Sequence, residues 1–155
     1  MIQYIRLQKT STLLISLKKY LTSELRNTEK VLTAVRIAWH SSPTAMESHS
    51  DTSRSKLESE FAMHELRLKK LRETFDSIPN KVNCKGKVGL WCFVKAQTPS
   101  GLLEIIIVPE GLGGIKVGKV QCVSDKTPMG LALLGKKQGD KFFLSGTRGQ
   151  VLLVA

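Results

Sequence analysis

Three histidines and three cysteines are the residues of this 155-residue chain best suited to hold a metal or act as nucleophiles. Cys84, Cys92 and Cys122 lack the paired spacing of a zinc site, and an odd count does not suggest a disulfide framework. Three buried, structural thiols in a reducing cytoplasm are therefore expected. His40 and His49 have no carboxylate at a fixed helical spacing, and His64 falls on an apolar helical stripe, so no histidine metal site is expected. Gly130–Lys137 reads GLALLGKK and nearly spells a phosphate-binding loop. The chemistry fails twice. Lys137 stands where a hydroxyl must meet magnesium, and the intervening residues form helix rather than a loop whose amides wrap phosphate.

Charge narrows the class of partner. The chain has 24 basic and 13 acidic residues, a formal +11, which attracts polyanions and acidic protein surfaces over long range. Residues 79–155 carry 11 Lys/Arg against 4 Asp/Glu, leaving +7, so the basic character concentrates in the second half. No apolar run approaches the roughly 20 residues of a membrane span. The first residues hold Arg6, Lys9, Lys18 and Lys19 with no acid before Glu24, a weak imitation of an organelle transit peptide. A cytoplasmic protein with no membrane partner is the expectation.

The elements that must position these residues follow from the periods. Leu14, Leu17, Leu21, Leu25, Leu32, Val35 and Trp39 fall on steps of three and four with Thr28 interrupting, and predict a long helix. Leu57, Phe61, His64, Leu68, Leu71, Phe75 and Ile78 predict a second. Ser41-Ser42-Pro43-Thr44 and the polar stretch to Ser55 turn the chain between them. Ser55 with Glu58 can form a capping box, while Asp51 or Ser53 can start the helix a turn earlier. The two seams bury against each other as an antiparallel hairpin over residues 1–78, about 40 Å long at 1.5 Å per residue.

In residues 79–155 the period becomes extended. Val88–Val94, Leu102–Val108, Ile115–Val123, Lys141–Leu144 and Val151–Val154 read as strands, separated by turns at Pro99-Ser100-Gly101, Gly111–Gly114 and Gly146–Gly149. One short helix interrupts them, with Thr127 as N-cap, Pro128 in its first turn and Gly135 as its left-handed C-terminal residue. The fold class is α+β: a helical hairpin followed by a small sheet domain.

The segment from Ser124 to Asp140, SDKTPMGLALLGKKQGD, resembles the signature of the Gre transcript-cleavage factors. In that family S/T-P, a small-residue helix, A-L-(I/L)-G-K and G-D follow in this order. The resemblance covers nearly the whole chain in architecture and is specific in this segment alone; residues 47–71 look closer to a divergent branch. It implies an FKBP-like C-terminal domain that docks at the rim of the RNA polymerase secondary channel, with the hairpin threading that channel as a monomer.

In Gre factors two hairpin-tip acids help hold the second Mg2+ and its water at the polymerase's own centre, which hydrolyses backtracked RNA. The factor is then a cofactor of the polymerase rather than a stand-alone enzyme, with no metal of its own. Carboxylates suit this task because magnesium prefers hard oxygens and keeps several waters. The family's D-x-x-E run is absent. Met46-Glu47-Ser48-His49-Ser50-Asp51 stands in its place, and the resemblance makes Glu47 and Asp51 the candidates for the tip acids. Glu58 and Glu60 belong to the helix shaft. For docking, the resemblance directs attention to Asp125, Thr127, Pro128, Met129, Lys136 and Lys137; Leu131 and Leu134 divide between core and partner contact.

Three rival functions differ in class. A prolyl isomerase needs an aromatic-lined pocket, and the second half offers only Trp91, Phe93, Phe142 and Phe143. A general nucleic-acid binder would use the positive charge to track phosphates. A secondary-channel inhibitor would dock alike but, with defective tip acids, would not stimulate cleavage.

Overall fold

The structure, a computed structural model, describes residues 2–42 and 53–155, with side chains from Thr10 onward. Its elements are α1 (Ile2–Ser41), α2 (Ser53–Ser77), β1 (Phe93–Thr98), β2 (Gly101–Val108), β3 (Lys116–Val117), β4 (Val120–Ser124), α3 (Pro128–Leu133), β5 (Lys141–Leu144) and β6 (Thr147–Val154). The chain divides into two units, one of Met1–Leu17 with Ile78–Ala155 and one of Lys18–Ser77.

In the Lys18–Ser77 unit, α1 and α2 run antiparallel. Trp39 Nε1 donates to Glu58 Oε1 at 3.1 Å near the connection, and Arg67 and Arg72 reach Glu24 and Glu29 farther along at 3.2 and 3.0 Å. The Arg54 guanidinium stacks 4.4 Å from the Trp39 ring centroid. These exposed ion pairs are each worth less than about 1 kcal/mol, so the apolar seam sets the pairing. Every predicted seam position is buried or half-buried, with Leu21 and Leu68 the most enclosed of this unit's apolar residues. Thr28 interrupts the pattern without breaking the helix, because its hydroxyl donates to the Glu24 carbonyl at 2.9 Å. The second helix opens at Ser53, ahead of a Ser55 cap, and Glu58 is committed to Trp39 rather than to a capping box.

The other unit holds a six-stranded sheet in the order β3-β4-β2-β1-β6-β5. Pairing is antiparallel except between β2 and β4, which run parallel with Val108 opposite Ser124. Pro99 and Ser100 turn β1 into β2. Ser145 and Gly146, with φ of 47° and 80°, turn β5 into β6, a left-handed pair that matches strand twist. One face of the sheet presents Val94, Ala96, Ile105, Ile107, Phe142 and Val151 to Leu133 of α3, with Val88 completing the cluster. The alternate positions Phe93, Ile106 and Cys122 are buried too, while Gln97, Phe143 and Gln150 leave the rest of the second face exposed.

Three strand expectations are corrected. The last strand begins at Thr147 rather than Val151, because Ser145 and Gly146 alone make the turn and Thr147–Gly149 already pair with β5. The first strand begins at Phe93 rather than Val88, because Val88–Cys92 belongs to a turn, and it continues to Thr98. The run Ile115–Val123 splits into β3 and β4, because Gly118 at φ 61° turns the chain back. A further correction concerns the thiols. Cys84 and Cys92 form a disulfide, their Cα atoms 5.8 Å apart, and only Cys122 stays a free, buried thiol. The odd count hid one pair, which the turn between Cys84 and Cys92 brings together. Among the described residues no helix is long and apolar enough to cross a membrane.

Candidate partner-binding surface

The candidate docking residues gather around α3, and the local sequence explains why. Ser124 ends β4 and its carbonyl accepts from the Thr127 hydroxyl at 2.7 Å; that hydroxyl in turn accepts from the Gly130 N–H at 3.2 Å. Thr127 is thus committed to capping within the fold. Pro128 occupies the first helical turn, where a missing N–H costs nothing. Gly130 is enclosed because the helix lies against the Ser124 carbonyl, where a Cβ would collide. Asp125 anchors the entry, its N–H donating to the Val108 carbonyl at 2.9 Å. Pro128 is exposed, Met129 is half-buried against the core and Leu134 likewise, while Leu131 is 62% exposed and free for a partner.

At its other end α3 stops on Gly135, left-handed at φ 76°. Lys136 and Lys137 follow on a small turn closed by Asp140, whose Oδ2 accepts from the Lys137 N–H at 2.8 Å. The disulfide-closed segment runs alongside. The Val88 N–H donates to the Lys136 carbonyl and the Gly135 N–H to the Val88 carbonyl, each at 2.8 Å, and Lys87 bridges to Lys137. Lys85, Lys87 and Lys137 are exposed here beside half-buried Lys136. Sequence reasoning found Lys136 and Lys137 but missed Lys87, because the bridge that joins them spans 50 residues of chain. Phe143 adds an exposed aromatic face, with the Arg148 guanidinium 5.3 Å from its ring centroid.

The aromatic residues that an isomerase pocket would draw on are spent elsewhere, since Trp91, Phe93 and Phe142 are buried in the fold. The cleft of about 590 Å³ between β2, β4 and α3 is lined by Leu103, Ile105, Val123, Thr127 and Met129 among others, with no aromatic residue. The near phosphate-loop sequence is helical over Pro128–Leu133, as its residue types predict. Among the described residues no group of three or more His, Cys, Asp or Glu is placed to hold a metal. His40 meets the edge of Trp39 at 4.8 Å between ring centroids. Burial pushes the Cys122 thiol up to about 11. Glu47 and Asp51 lie outside the described residues.

No family model matches the chain, and no curated protein matches it. Among solved structures, the chain is similar to GreA factor homolog 1 (Gfh1) of Thermus thermophilus, with 24% identity, 89% of this chain and 94% of that one covered, and a TM-score of 0.40. A structure of the transcription factor Gfh1 gives 20% identity over 88% and 92% at 0.39. Gfh1 of Thermus aquaticus gives 22% over 88% and 92% at 0.39. Likenesses this distant carry no functional weight; the chain's own residues must supply it.

Proposed function

We propose that this chain is a transcription elongation factor that docks on RNA polymerase at the rim of its secondary channel and stimulates cleavage of backtracked transcripts by the polymerase's own centre. The observation that carries this reading is the pairing, in one chain, of an antiparallel hairpin whose polar connection bears Glu47 and Asp51 with the Ser124–Asp140 motif folded as a capped, glycine-wedged helix. In this reading Leu131, Lys136 and Lys137 meet the rim. Lys87 adds charge beside them, so docking to an acidic surface weakens as salt rises. Glu47 and Asp51 supply oxygen ligands that favour the second Mg2+ in the polymerase, which performs the hydrolysis. The chain works in the cytoplasm as a monomer and is no enzyme by itself.

The test is cleavage in a stalled, backtracked elongation complex, with the native chain beside Glu47→Ala and Asp51→Ala. Stimulation that either change abolishes supports the reading. The missing D-x-x-E spacing favours one alternative, a channel-binding inhibitor, which would bind and compete with a cleavage factor without stimulating. Absence of any complex at low salt would refute both.

A further inference from the structure

We propose that the Cys84–Cys92 disulfide is a thiol–disulfide switch that sets the geometry of the Lys136–Lys137 end of α3. Three observations meet in one segment. The bond closes a short loop, and Cys84 is half-buried while Cys92 is fully buried, which makes Cys84 the more accessible end of the bond. Lys85 and Trp91, two of the three described non-glycine residues with positive φ, stand just inside the two cysteines at 43° and 66°. Left-handed backbone is strained for a side chain as bulky as tryptophan and persists only where the surroundings impose it. Finally, the loop's midpoint, Val88, exchanges both backbone hydrogen bonds with α3's exit, giving one to Lys136 and taking one from Gly135. The loop and the basic turn are therefore one hydrogen-bonded piece.

In the reducing cytoplasm that the proposed function implies, a disulfide is usually transient or redox-sensing. The co-reactant is a cellular dithiol. Its thiolate attacks Cys84 Sγ, the S–S bond breaks, and the electron pair leaves on Cys92 Sγ, which takes up a proton. The second thiol then attacks the mixed disulfide and releases Cys84, also protonated. Two electrons and two protons pass to the protein, and the dithiol leaves oxidised. Without the bond, Trp91 keeps its N–H bond to the Ile107 carbonyl at 2.6 Å, but Lys85 is released from its left-handed conformation, Val88 loses its fixed position, and the Lys136–Lys137 turn loosens. The consequence for polymerase binding rests on the function proposed above.

The test compares oxidised chain, chain reduced with dithiothreitol, and Cys84→Ser by amide hydrogen exchange. The Val88 and Gly135 amides should exchange at least about tenfold faster in the reduced and Cys84→Ser forms, with the β1–β2 ladder unchanged. Equal rates at Val88 and Gly135 overturn the switch, as does loss of protection throughout the sheet, which would make the disulfide a simple staple. A parallel polymerase-binding assay should show the reduced form several-fold weaker. Equal binding in the two states overturns the regulatory role. Binding in neither state refutes the proposed function, while the exchange comparison still decides the switch by itself.

Discussion

Replacing Gly130 with alanine should cost stability, although the same change inside a helix ordinarily adds about 0.5–1 kcal/mol. The reversal comes from space. A Cβ at this position would overlap the Ser124 carbonyl oxygen and come within 3.0 Å of Asp125 Cα. Both are main-chain atoms at the end of the parallel β2–β4 pairing and cannot rotate away as a side chain could. Overpacking of this kind costs about 1–3 kcal/mol, and an obstacle of backbone puts it at the upper end. Subtracting the helical gain leaves a net loss of about 2 kcal/mol, or a urea midpoint lower by about 1 M at an ordinary slope. Equilibrium urea unfolding followed by circular dichroism reads this directly. Gly135→Ala is the control: its Cβ would meet nothing within 4 Å, so only its φ of 76° opposes the change. That left-handed strain costs about 1–2 kcal/mol. A Gly130→Ala midpoint equal to or above the native one would refute the close approach of α3 to Ser124.

Thr127→Ala should destabilise by about 1 kcal/mol in the same assay, since the hydroxyl both donates to Ser124 and caps Gly130. Gly149→Ala should also destabilise, because its Cβ would enter the buried Phe142 ring; an unchanged midpoint would contradict that packing. Cys122 should resist alkylation in the folded chain at about pH 8, because burial holds its thiol up to about 11. The sign for stability follows from the protons bound. Between its ordinary 9.0 and about 11 the folded state keeps a proton the unfolded state releases, so stability falls as pH rises through that window. Comparison with Cys122→Val isolates this contribution. Lys136→Glu with Lys137→Glu should weaken polymerase binding at least about tenfold at low salt and flatten its salt dependence, measured by titration at several ionic strengths.

How legible the molecule was in its sequence depended on the range of the interactions. The helical seams were readable because each of their positions reports a local period, and Thr127, Pro128 and Gly135 announced α3 because capping chemistry is local as well. Val88–Cys92 misled because its β-branched and aromatic residues have strand propensity, while a disulfide and two left-handed residues hold it as a turn. The cysteine pairing was invisible in an odd count. Lys87 was missed for a related reason, since only the folded chain brings it beside Lys137. Glu47 and Asp51 were named by resemblance, which no local period could supply.

The strand order has a consequence for how the chain is made. Strand β6 lies between β1 and β5, so the latest-made of the six strands fills an interior place in the sheet. Until Thr147–Val154 emerges from the ribosome, β1 shows an open edge and Val94, Ala96 and Phe142 lack Val151 as a neighbour. The hairpin helices, which pair with each other far upstream, can form while synthesis continues. The sheet must wait, and its nascent form is the state in which this chain is most exposed to aggregation and to chaperones.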